Sequence, residues 1–72
     1  MRLDMRGQRC PLPVIELARH ITDVAVGETV TVVADDPAAA SDIAAWCRMR
    51  DHEFVGTRED PDGPAYDVRR RH

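Results

Sequence analysis

At 72 residues and a net charge of -3, the chain has room for one domain, 1–72, and lacks the basic field that general nucleic-acid binding needs. Its two cysteines, Cys10 and Cys47, allow at most one bridge, so no disulfide framework holds the fold and no Cys-x-x-Cys spacing occurs. All ten basic residues are arginine, which excludes a Schiff-base lysine. His20, His52 and His72 stand at no metal-ligand spacing from either cysteine, so neither a metal nor another cofactor is expected.

Arg2 to Arg6 alternates polar with apolar and places Leu3 and Met5 on one face, the pattern of a short strand. Gly7-Gln8-Arg9 makes a turn. A helix is predicted from Pro11 to Asp23, with Val14, Leu17, Ala18 and Ile21 forming an apolar stripe at helical spacing. Gly27 marks the exit loop, and Thr29 to Ala34 is β-branched and reads as a second strand. In Asp35-Asp36-Pro37 an acidic cap precedes a proline at the first helical position, which predicts a second helix running to Arg50 with Ala39, Ile43, Trp46 and Cys47 along one side. Glu53 to Arg58 and Ala65 to Arg70 read as strands. The turn-rich segment Asp60-Pro61-Asp62-Gly63-Pro64 between them predicts an antiparallel hairpin.

The order is βαβαββ. With two helices and half-polar strands, the expected fold is α+β: a two-layer sandwich of a four-stranded mixed sheet with both helices on one face and the other face open to water. No stretch is apolar for long enough to cross a membrane, and charge interrupts the segment Leu3 to Gly7 where a leader would need to be apolar, so a cytoplasmic location is expected.

The chemistry concentrates at Cys10-Pro11-Leu12-Pro13. Cys10 immediately precedes Pro11, the expected first helical residue, and so is the N-cap or adjacent to it, where the helix dipole and free N–H groups favour a thiolate, the nucleophilic form. Pro11 and Pro13 sit where helical N–H groups have no intrahelical partner, so they stiffen the turn at little cost. Sulfur exchange needs a thiolate and no separate general base. A free cysteine is often a small buried hydrophobe, but a turn followed by a double-proline helix start argues for display. The reverse holds for Cys47, which shares a helix face with Ile43 and Trp46 and is read as core rather than as a resolving thiol.

The string Leu3-Asp4-x-x-Gly7-x-x-Cys10-Pro11-x-Pro13 resembles the signature of the TusA family, also called SirA-like proteins. The resemblance continues through Gly27-Glu28, Ala34-Asp35-Asp36-Pro37, Asp42-Ile43, Trp46-Cys47 and His52-Glu53. It implies a sulfurtransferase-type carrier that accepts a persulfide on Cys10 from a cysteine desulfurase or other donor and relays it to an acceptor protein. The pathways it leaves open include tRNA thiolation, molybdenum cofactor supply and sulfur oxidation. Gly7, Pro11 and Pro13 support the motif, while Arg9, Asp35 and Asp36 are candidates for partner docking. One departure is visible: the family pattern carries Gly before the His-Glu pair, and this chain carries Asp51, at a position expected to be left-handed.

Two other readings compete. A non-catalytic interaction or regulatory module would use the open sheet face or the acidic loop. Direct RNA binding would use Arg69-Arg70-Arg71-His72, although such a terminal run is more often solvated and frayed. His52 is read as a cap at the end of the second helix rather than as a ligand.

Overall fold

The computed structural model describes residues Met1–His72. Strand β1 is Arg2–Asp4, helix α1 is Leu12–His20 followed by a 3-10 turn at Ile21–Asp23, β2 is Thr29–Val33, α2 is Ala39–Arg50, β3 is Glu53–Asp60 and β4 is Gly63–Arg69. The sheet order is β1-β2-β4-β3. β1 runs parallel to β2 (Leu3 opposite Val32), as the α1 crossover between them requires. β4 is antiparallel to both of its neighbours and lies between β2 and β3.

Alternation decides the two faces. Val30, Val32, Tyr66 and Val68 point to the helices and close a core with Leu17, Ile21, Ile43, Trp46 and Cys47. Leu3 and Met5 pack against it, as the strand pattern requires. The opposite face carries Thr31, Asp67 and Arg58 in hydrogen-bonded contact, with Thr31 Oγ1 donating to Asp67 at 2.6 Å and Arg58 Nε donating to the same carboxylate at 2.9 Å. Arg2 spans to Asp60 at 2.9 Å on that face. An open, charge-paired face and a helix-covered face give the two-layer arrangement. No helix is long and apolar enough to cross a membrane.

Several local details differ from the sequence pattern. In α1 the buried positions are Pro13 and Leu17, with Ile21 following in the 3-10 turn, while Ala18 is exposed. A small alanine at the stripe's margin carries too little area to fix the helix rotation, whereas the fully buried Pro13 ring does. α2 begins at Ala39 rather than at Pro37, because the Asp36 carboxylate accepts from the Ala38 N–H at 2.9 Å and holds Pro37 and Ala38 in a turn. The hairpin is tighter than its turn-rich sequence suggests: only Pro61 and Asp62 lie outside the strands, and Gly63 takes a φ of 126° to close it. A bulge between Phe54 and Gly56 leaves Val55 unpaired on β3.

The chain's last residues are mostly exposed, as expected of the terminal run, but they also make specific contacts. Arg70 exchanges backbone hydrogen bonds with Gly27 and Glu28, and its guanidinium donates to the Val24 carbonyl at 2.6 Å. The Arg71 N–H donates to His52 Nδ1 at 3.1 Å, and the His52 ring stacks between Trp46 and His72. His52 therefore ties the terminal segment to the end of α2 from a buried position.

Candidate functional site

Cys10 lies at the end of the sheet where β1 and β2 deliver their C-terminal residues. The segment from Gly7 to Pro11 crosses there from β1 to α1, and Asp35 and Asp36 leave β2 beside it. The two carboxylates fasten this crossing. Asp35 accepts from the Gly7 N–H at 3.0 Å, and Asp36 accepts from the Cys10 N–H and from Ala38. Asp36 thus uses one oxygen on the cysteine loop and the other on the start of α2. These charge-assisted contacts hold its carboxyl below the usual carboxylate range, with Arg9 adding a smaller pull. Gly7, at a φ of 78°, makes the turn that brings its own N–H to Asp35.

The candidates named from sequence divide between two adjoining hollows, except Pro13, which is buried in α1. Gly7, Gln8, Arg9, Asp35, Asp36 and Pro37 line one polar cleft of about 460 Å³. Cys10 borders a second groove, of about 250 Å³, walled by Pro11 and Val14 of the α1 side and by Asp42, Ala45, Trp46 and Met49 of α2. The thiol is exposed, and so is most of Met49. Leu12 and Ile15 are further exposed apolar side chains of α1. Cys47 is buried in the core, where desolvation pushes its thiol up to about 11, so it offers no second nucleophile at neutral pH.

One expectation is corrected. Pro11 is the cap residue of α1 rather than its first helical residue, and Pro13 is the second helical position, so Cys10 takes the place adjacent to the cap. The Leu12 N–H is taken by the Arg9 carbonyl at 2.8 Å and is not free to stabilise a thiolate. The thiol instead shares its groove with Asp42, and Asp36 lies beside the same loop, two negative charges near one sulfur. Both raise the Cys10 pKa above the ordinary thiol value, the reverse of helix-dipole activation.

Asp42 is a neighbour of Cys10 that reading along the chain did not place there. It stands in the first turn of α2, where an acidic residue is already accounted for by the macrodipole. Only the packing of α1 on α2 places it at the thiol. The arginine tail, by contrast, is drawn away from any common basic patch: Arg69 and Arg71 both turn to Glu53 and Arg70 to the Val24 carbonyl.

The family model described as Sulfurtransferase TusA matches residues 1–69 of this chain. Among solved structures, a SirA-like protein from Desulfitobacterium hafniense aligns with a TM-score of 0.76 and 22% sequence identity, over 94% of this chain and 92% of that one. At that identity the likeness is one of fold: two helices and a four-stranded mixed sheet.

Proposed function

Because the chain belongs to the TusA sulfurtransferase family, we propose that it is a carrier that takes a persulfide sulfur onto Cys10 and delivers it to an acceptor protein. The observation that supports this most is the exposed Cys10 thiol on a loop fixed by two carboxylates, at the rim of an apolar groove. Exposure lets a partner's sulfur reach it, and the groove gives a partner's apolar side chains a place to rest.

Loading follows ordinary thiol exchange. Cys10 Sγ, as the thiolate, attacks the terminal sulfur of a donor persulfide. One S–S bond forms on Cys10 as the donor's S–S bond breaks, and the electron pair leaves with the donor's inner sulfur as its thiolate. There is no net oxidation. Delivery is the same exchange in the other direction, with the acceptor's thiolate attacking. The donor class is a cysteine desulfurase or another persulfide-bearing protein, and the receiver is a thiol-bearing acceptor. Arg9 and the free oxygen of Asp35 lie on the polar cleft beside the loop and supply charge for docking. Asp36 has both oxygens engaged within the chain, so its part is to hold the loop.

The test is loading by a cysteine desulfurase with cysteine, read by intact mass. One added sulfur, removed by reductant and absent in Cys10→Ser, is expected. A mass that never changes with any persulfide donor sinks the proposal and leaves an interaction module as the surviving reading.

A further inference from the structure

His52 is buried at the joint between α2 and β3, and no step of sulfur exchange uses it. Three contacts hold its ring. Trp46 of α2 stacks on it with ring centroids 5.4 Å apart, His72 stacks at 4.6 Å, and the Arg71 N–H donates to Nδ1 at 3.1 Å. Trp46 is shared, because the same side chain walls the groove that Cys10 borders. A backbone N–H can only donate, so Nδ1 is bare and the ring proton sits on Nε2. Protonating the ring turns that acceptor into a second donor aimed at the Arg71 N–H, and the bond is lost. His72 differs. Its Nε2 lies 2.8 Å from the Arg50 carbonyl and so donates, a bond that the charged ring makes equally well.

We propose that His52 is a pH-sensitive latch: neutral, it fastens Arg71 and His72 to the end of α2 and backs Trp46 in the wall of the Cys10 groove, and protonated, it releases both. The inference goes beyond the carrier reading and does not depend on it. The charged groups facing the ring are Arg50 and Asp51 from the end of α2 and Arg70 and His72 from the terminal segment. Glu53, the next residue on β3, is engaged by Arg69 and Arg71. Of the facing groups only Asp51 favours an imidazolium. Burial and like charge therefore keep the latch closed through the ordinary histidine range, and it opens as the pH falls below that range. Arg70 remains tied by its backbone exchange with Gly27 and Glu28, so release stops at Arg71. Trp46 then loses a stacked ring and gains contact with water on the side away from Cys10.

The experiment titrates the full chain from about pH 8 to 5, the span in which histidine changes charge. NMR follows the His52 ring and the Arg71 amide, and fluorescence follows Trp46, the chain's only tryptophan. All three signals should share one midpoint, below about 6.5. The Arg71 amide should move to its free-chain position and the Trp46 emission to longer wavelength, while the amides of Val32 and Tyr66 in the sheet stay in place. In His52→Gln the side-chain oxygen accepts from Arg71 without titrating, so the transition should disappear. An Arg71 amide that stays in place while the His52 ring titrates overturns the proposal, and wild type alone decides this. So does a transition that persists in a folded His52→Gln, which assigns it to His72 or His20. Sheet amides lost at the same midpoint would mean global unfolding and no latch. A Trp46 emission maximum that stays fixed while Arg71 moves overturns the link to the groove.

Discussion

Asp51 closes α2 in the left-handed region, at φ 58° and ψ 38°. Its N–H and that of His52 both turn back to the Cys47 carbonyl, the geometry of a helix ended by a reversed residue. An L-residue held there costs about 1–2 kcal/mol, at the lower end for Asp. Glycine removes that cost but loses about 0.5–1 kcal/mol through the extra freedom of its unfolded chain. Asp51 makes no side-chain hydrogen bond or ion pair that would be lost. Removing the charge at the α2 C-terminus adds about 0.3 kcal/mol, so Asp51→Gly should stabilise the domain by about 0.3–0.8 kcal/mol, raising the Tm by about 1–6 °C for a chain of this size. Two further variants separate the causes. Asp51→Asn removes a negative charge from the unfavourable end of the α2 dipole and should add only about 0.3 kcal/mol. Asp51→Ala keeps the backbone penalty and should fall below wild type. Thermal melts by circular dichroism, supported by urea titration, rank the four proteins. A Gly variant no more stable than wild type, or an Ala variant equal to it, would refute the assignment of strain to this residue.

Two other outcomes follow from the same contacts. His52 is held below its ordinary pKa by burial first, then by His72 and Arg70. Its contribution to stability is therefore complete above the unfolded value of about 6.5 and is lost as the pH falls through it toward the lower folded value. The urea midpoint should drop between about pH 7.5 and 5.5, and His52→Gln should flatten that difference; an unchanged slope in the variant would count against it. Asp36→Ala frees the Cys10 and Ala38 N–H groups together, so both amides should exchange hydrogen faster while those of β4 stay protected. Equal exchange at Cys10 in the two proteins would show that the carboxylate does not hold the loop.

The layered fold was legible because its signals are periodic. Alternation in Thr29 to Val33, the stripe of Ile43, Trp46 and Cys47, and the turn residues around Asp62 each act through local geometry, and the sheet and helices form where these patterns stand. Boundaries moved where one side chain competed with the pattern, as when Asp36 held Pro37 and Ala38 out of α2. The exposure of Cys10 followed from its place between a turn and two prolines. Its electrostatics did not, because Asp42, which shares its groove, sits on another helix and is brought in by packing alone. The fate of the arginine tail was hidden for the same reason: Val24, Glu28 and His52 reach it only once the sheet has formed.

The central claim is that Cys10 carries the sulfur, and the most direct measurement is the location of that sulfur. After incubation with a cysteine desulfurase and cysteine, the protein is alkylated, digested and read by tandem mass spectrometry. The account predicts one extra sulfur on the peptide containing Cys10 and an unmodified Cys47. Sulfur on Cys47 alone, or on neither cysteine while the desulfurase itself is loaded, would contradict it.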